Sequence, residues 1–287
     1  MNKRSAGCRW LWSALAVLFL SAPGLRAQVR TYPIYEIRPI ATVGFYSDAT
    51  QQRLLHLSTE FSVAPDWKST YALLYRRTTL DYKDGFGYRQ NQISGSVTRL
   101  FSSGDQYFSF RADLSVATSN STETDGSVTA FCEGGWIATG GAWGMSGGGF
   151  YGSYPDGKTW GGTGGLWTVF LNRHVFSMRV NSQSFSGPYH DGKTFFSGSL
   201  HSDFRVNSKG GVLVSGRFGR RSLFYDPDIK LMYTTKDIFR GGAGVMVYGD
   251  LSEVVRLFVD ATAESYNALE GGSYSVAYVT LGLRLRF

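Results

Sequence analysis

The last fifteen residues of the chain, SYSVAYVTLGLRLRF, alternate between two chemistries with a period of two. Successive side chains of a β-strand point to opposite faces. Ser275, Ala277, Val279, Leu281, Leu283, Leu285 and Phe287 therefore share one face, and Tyr274, Tyr278, Thr280, Arg284 and Arg286 share the other. One face is apolar and the other is polar and basic. The same pattern recurs upstream. Over 105–117, Phe108, Phe110, Ala112, Leu114 and Val116 oppose Tyr107, Ser109, Arg111, Asp113 and Ser115. Over 252–266, Val255, Leu257, Val259 and Ala261 oppose Arg256, Phe258, Asp260, Thr262 and Glu264. No segment after Tyr35 carries a helical period long enough to compete.

Periodicity and turn residues together predict strands at 35–46, 52–63, 69–82, 88–101, 105–117, 127–138, 142–153, 158–171, 174–186, 194–206, 211–222, 236–249, 252–266 and 273–287, about 14 in all. Between them lie turn signals such as Ala64-Pro65-Asp66, Lys83-Asp84-Gly85, Ser103-Gly104-Asp105, Pro155-Asp156-Gly157, Asn207-Ser208-Lys209-Gly210 and Gly249-Asp250. The stretch from Gly134 to Gly165 departs from the pattern, with 14 glycines among its residues. Glycine weakens strands and marks bends or close backbone approach. If part of this stretch is an insertion, the count falls to about 12 strands.

At the other end, Lys3, Arg4 and Arg9 precede an apolar run from Trp10 to Leu20, followed by Ser21, Pro23, Gly24 and a cleavage site after Ala27. That is the layout of a secretory signal peptide, residues 1–27. The run is shorter than the roughly 20 residues a membrane helix needs. An exported chain with apolar strand faces and no helical span has one membrane solution, since only helices and closed barrels pair all their backbone groups within lipid.

The terminal residues resemble the closing strand of Gram-negative bacterial outer-membrane β-barrels. In that family a final Phe with apolar residues at every second position is the signal read by the barrel-assembly machinery, which Phe287, Leu285, Leu283, Leu281 and Val279 match. The resemblance implies an all-β fold over 28–287: a transmembrane up-and-down antiparallel β-barrel in the cell outer membrane. It also implies outer-membrane lipid, lipopolysaccharide, the assembly machinery and periplasmic chaperones as partners. With Phe287 periplasmic, the connections 118–126, 187–193 and 223–235 fall outside the cell, and Ser102–Gly104, Asn172–Arg173 and Asn207–Gly210 fall in the periplasm. Longer external connections suit such barrels. All are short enough that no large constricting loop or plug is expected. A soluble β-sandwich would alternate as well, but with its polar face outward and without that length bias.

The formal net charge of +7 overstates how basic the exported protein is, because Lys3, Arg4, Arg9 and Arg26 leave with the signal and no acid does. Arginines are spread singly through strands, which argues against nucleic acid as a partner. Cys8 lies in the signal and Cys132 is then alone, so no intrachain disulfide is expected. No metal-ligand spacing or cofactor motif appears. Gly144-Met145-Ser146-Gly147-Gly148 satisfies G-x-S-x-G and Gly147 to Gly152 satisfies G-x-G-x-x-G, but neither stands at a strand-to-helix junction, where those motifs have meaning.

Parity sends Arg38, Arg111, Arg179, Arg205, Arg217, Arg221, Arg240, Arg256, Arg284 and Arg286 into the lumen against Glu36, Glu60, Asp113, Asp203, Asp260 and Glu264. Charges inside a membrane protein imply a wet interior or paired ions. The expected pore lining is Arg111, Asp113, Arg179, Arg205, Arg217, Arg256, Asp260, Glu264 and Arg284. The reading favoured is a porin-like passive or selective transport pore for small polar, including anionic, solutes. One alternative is a barrel-embedded hydrolase, for which His201 and Asp203 beside Ser199 are the weak catalytic candidates; another is a non-conducting structural or secretion-accessory barrel. Processing offers a direct check: the mature chain is expected to begin at Gln28 and to fractionate with outer membranes as a heat-modifiable band. An uncleaved or soluble periplasmic chain would contradict the assignment.

Overall fold

The computed structural model describes residues 32–287 except 48–50, 84, 86, 105, 123, 139–140, 172, 233–234 and 270. The leader, the cleavage site after Ala27, and the turn residues Asp84, Asp105 and Asn172 lie outside the described residues.

Alternating faces become one closed wall because each long strand pairs antiparallel with its neighbours until the first meets the last. The wall strands are β1 (Ile34–Tyr46), β2 (Gln51–Ala64), β3 (Ser69–Tyr82), β4 (Gly87–Ser103), β5 (Gln106–Ser119), β6 (Ser127–Ile137), β7 (Trp143–Tyr154), β8 (Gly157–Phe170), β9 (His174–Ser186), β10 (Thr194–Arg205), β11 (Gly210–Arg221), β14 (Ile238–Asp250), β15 (Val255–Asn267) and β16 (Ser273–Arg286). Two short strands, β12 (Tyr225–Asp226) and β13 (Leu231–Met232), pair with each other in the connection between β11 and β14, apart from the wall. The barrel has 14 strands, so the glycine stretch is not an insertion. It forms β6, β7 and β8 in unbroken register. Glycine is required there by close approach: a Cβ on Gly161 would lie 1.9 Å from the Ser182 carbonyl oxygen, and one on Gly148 2.2 Å from that of Cys132.

Burial is inverted relative to a soluble protein. Leu57, Leu73, Ile93, Leu114, Val180, Val245 and Leu281 are exposed on the outside, while Ser58, Gln92, Ser94, Asp113, Ser115, Gln183 and Glu264 are buried inside. That arrangement suits lipid as the outer solvent and rules out the sandwich, whose polar face would be the wet one. Aromatic side chains gather near the ends of the wall. On the periplasmic side Trp136 meets Trp143 at 4.8 Å and Trp67 meets Tyr107 at 6.2 Å, edge to face. Such rings suit the lipid–water interface, apolar on one side and polar on the other.

Closure rests on the β1–β16 seam. Its register runs from Glu36 opposite Arg286 to Tyr46 opposite Val276. Two backbone bonds extend it, Tyr35 N–H to Phe287 carbonyl at 3.1 Å and Phe287 N–H to Tyr35 carbonyl at 2.9 Å. The Arg286 guanidinium donates twice to Glu36 Oε2, at 3.0 and 2.7 Å, and Arg38 donates to the other oxygen of the same carboxylate. Arg286 is thus inward, as parity predicts, and also part of the closure.

Parity fails at one predicted residue. A bulge in β11 between Phe218 and Arg221, and another in β14 between Phe239 and Gly241, insert extra residues side by side. Arg240 sits in the second bulge and is exposed, not part of the lumen lining the alternation predicts. A bulge resets the face of every residue beyond it, and period-two counting cannot see it.

Deleting Phe287 removes both seam-extending bonds and is expected to lower sharply the yield of heat-modifiable barrel in cells. Arg286→Ala leaves Glu36 with Arg38 and is expected to assemble, at a cost of about 1–3 kcal/mol for the lost charge-assisted bonds. Normal assembly of the deletion together with failure of Arg286→Ala would contradict this account of the seam.

Candidate functional site

A water-exposed loop should be polar, yet the connection after β11 carries Leu223, Phe224 and Tyr225, then Asp226-Pro227-Asp228, then Ile229, Leu231 and Met232. The structure resolves the anomaly by turning this segment into the barrel. Leu223, Phe224, Tyr225 and Met232 are buried. Phe224 packs edge-on against Phe150 at 5.3 Å, and Tyr225 lies 6.1 Å from Phe131. Burying each such side chain contributes about 1.5–3 kcal/mol. The expectation of an unobstructed lumen is therefore corrected: residues 222–232 form a strap across it. Loop length does not reveal this; the apolar residues flanking Asp-Pro-Asp do.

Backbone groups carried into the lumen lose water and must be paired. Wall side chains supply the partners. Gln183, 2 % exposed, donates from Nε2 to the carbonyls of Ser222 at 2.5 Å and Leu223 at 3.2 Å, and accepts from Ser222 N–H at 3.3 Å. Gln92, fully buried, grips the far side in the same way, donating to the Lys230 carbonyl at 2.9 Å and accepting from Met232 N–H at 3.3 Å. Arg76 donates to the carbonyls of Ile229 at 3.1 Å and Lys230 at 3.4 Å, and Arg111 to that of Pro227 at 2.6 Å. A primary amide offers one donor group and one acceptor, matching the pair a peptide presents. Alternation puts Gln183 on the polar face of its strand, but it does not reveal that Gln183, Gln92 and Arg76 bond to the backbone of a distant loop.

Charges lock the same strap. Tyr225 donates its hydroxyl to Asp113 at 3.0 Å, and Asp113 also receives Arg111 at 2.7 and 3.0 Å. Asp226 lies 3.5 Å from Arg221 and 3.9 Å from Arg217, and Arg217 is 2.8 Å from Glu264. Asp228 lies 3.4 Å from Arg179, which also holds Glu133 at 2.6 Å. Lys230 reaches Glu60 at 2.5 Å. Much of the arginine excess predicted for the lumen is thus offset by Asp226, Asp228, Glu133 and Asp250, the first two supplied by the strap itself.

Of the predicted lining residues, Arg111, Asp113, Arg179, Arg217 and Glu264 belong to this strap-holding network. Arg205, Arg256 and Arg284 lie nearer the periplasmic end of their strands. Arg256 is bidentate to Asp250 at 2.6 and 3.0 Å, Arg284 approaches the same carboxylate at 3.6 Å, and Arg205 stands 3.9 Å from Asp203. Asp260 accepts from the Thr262 hydroxyl at 2.9 Å. The catalytic candidates are not joined. Asp203 accepts from the Tyr248 hydroxyl at 2.7 Å, whereas the carboxylate facing His201 Nε2 is Asp228, at 3.8 Å. Among the described residues no three His, Cys, Asp or Glu side chains converge as a metal-ligand set.

No protein-family model matches the sequence, and no curated protein is significantly similar to it. Solved structures are similar in fold. The deltaS2S3 mutant of the monoaromatic hydrocarbon channel TodX superposes with a TM-score of 0.57 at 9% identity, covering 90% of this chain and 91% of that one. The Ralstonia pickettii toluene transporter TbuX gives 0.55 at 6%, covering 90% of each chain. An outer-membrane channel from Pseudomonas putida F1 gives 0.50 at 7%, covering 93% of this chain and 100% of that one. At such identities the likeness is one of fold, and that fold is the Gram-negative outer-membrane β-barrel.

The two glutamines give a test of the strap. Gln92→Ala with Gln183→Ala removes both amide clamps but no charge, and is expected to open Met232→Cys, buried in the native barrel, to labelling by a membrane-impermeant maleimide on intact cells. Unchanged labelling would show that the clamps do not hold the strap in place.

Proposed function

We propose that the protein is an outer-membrane channel for small polar solutes, with the strap 222–232 as its constriction. Barrels of 8 strands are filled by their own side chains and those of 16–18 leave an aqueous channel, so 14 strands leave room that the wall cannot fill alone. The observation carrying the reading is the asymmetry of the strap. The bonds of its tip, Asp226 to Met232, run to β2–β5 and β9–β11. The wall formed by β14, β15, β16 and β1 instead presents polar groups that bond to one another, such as Thr42 with Thr280 at 2.9 Å and Thr262 with Asp260 at 2.9 Å. A path along that wall meets Thr42, Thr280, Thr262 and Asp260, with Ile40, Met246 and Phe258 as its apolar members. The hydrocarbon and toluene carriers named above share the fold, but here the inward aromatics Phe131 and Phe150 are taken up in packing against the strap. Polar solutes suit this lining better. Preference for anions would come from the periplasmic mouth, where arginines outnumber carboxylates.

Planar-bilayer recording tests the proposal. The purified protein is expected to conduct in small steps, and replacing residues 223–234 by a short Gly-Ser linker to raise the step several-fold, because the strap crosses the bore. Neutralising Arg205, Arg256 and Arg284 is expected to move the reversal potential toward cations, since charged side chains lining a pore set its selectivity. Arg179 and Arg217 are poor choices for that purpose, as they also hold the strap. Silence of both native and strapless barrels would exclude a channel. A hydrolase would instead lose turnover on His201→Ala with conductance unaffected.

A further inference from the structure

The strand register lines up charges that parity alone only assigns to the lumen. On β15 and β16, Arg256 stands directly opposite Arg284. On β16 and β1, the register that pairs Ile37 with Leu285 and Ile40 with Gly282 places Arg38 opposite Arg284. Outside this trio, Arg38 pairs across to Glu60 on β2, and Arg256 pairs across to Asp250 on β14. Five adjacent strands thus carry one row at a single height: Glu60, Arg38, Arg284, Arg256, Asp250. Like charges directly opposite in a ladder repel. Here three stand in sequence, with acids only at the two ends.

The ends neutralise the flanking arginines and leave the centre. Arg256 takes both oxygens of Asp250, and Arg38 takes Glu36 with Glu60 at 3.4 Å. Glu60 is shared with Lys230, and Glu36 with Arg286. Arg284 makes no hydrogen bond among the described residues and only approaches, at 3.6 Å, the carboxylate already held by Arg256. The Arg38 side chain is 43 % exposed and that of Arg284 is 22 % exposed, so the row faces the lumen and is open to a solute. We propose that Arg284, flanked by Arg38 and Arg256, is the centre of a binding site for a small oxyanion, a carboxylate or a phosphate, at the periplasmic mouth. Planar guanidinium forks match both oxyanions in bidentate geometry. This deepens the channel reading by naming a solute class, but binding does not require an open path.

Equilibrium binding to the refolded full-length barrel in detergent tests the site apart from conduction. Inorganic phosphate and succinate are titrated separately by calorimetry against the native protein, Arg284→Gln, and, as a control, Arg53→Gln, whose exposed side chain faces Asp81 at the other end of the wall. At least one of the two anions is expected to bind, about tenfold more weakly in Arg284→Gln, as the loss of charge-assisted bonds implies, and with unchanged affinity in Arg53→Gln. The anion bound more tightly identifies the class. Should Arg284→Gln fail to give a heat-modifiable band, Arg256→Gln together with displacement by chloride takes its place. Absence of binding by both anions at millimolar concentration, or equal binding by native protein and Arg284→Gln, would overturn the site. Binding without conductance would remove only the channel.

Discussion

Hydrocarbon offers no hydrogen-bond partner, so every N–H and C=O of the wall must be paired by another strand. This constraint forces the first strand to meet the last, and it places the chain's closing contact at Tyr35 and Phe287. It also sends the apolar faces outward, because lipid surrounds the closed wall, and confines the polar faces to the interior. The ion pairs, the buried glutamines and the arginine row are consequences of that inversion.

A closed wall of 14 strands has a wide bore, and the strap is the answer to two separate imbalances within it. The first is geometric: wall side chains alone do not fill the space. The second is electrostatic, since strand faces bring in more arginine than acid. Asp226 and Asp228 enter on the strap beside Arg217, Arg221 and Arg179, while Lys230 answers Glu60 on the opposite side. One segment therefore joins distant walls through charge, amide clamps and aromatic packing together. The strap touches the periplasmic row only at its end, where Lys230 takes Glu60, so the positive character of the lumen survives chiefly there.

Strand positions were legible because their signal is local. Each of the predicted strands appears within a few residues of its observed bounds, and the seam residues Val279, Leu281 and Phe287 face outward as the alternation requires. Much of the candidate site was legible as a set of inward charges but not as an arrangement. Arg111 and Asp113 could be placed in the lumen, but not on Tyr225 and Pro227, because those contacts join residues more than a hundred positions apart. Arg240 was misplaced because the bulge that holds it depends on how β14 and β15 meet.

What the amino-acid order determined by itself was therefore the period, the faces and the solvent each face would meet, since these follow from residue i and its neighbours at i ± 2. The tertiary structure alone decided the register that aligns Arg38, Arg284 and Arg256, the bulges, and the turning of residues 222–232 into the lumen. Those outcomes compare pairings between distant segments. They become defined only once the wall has closed and the interior has a fixed width, a charge to balance and backbone groups to satisfy.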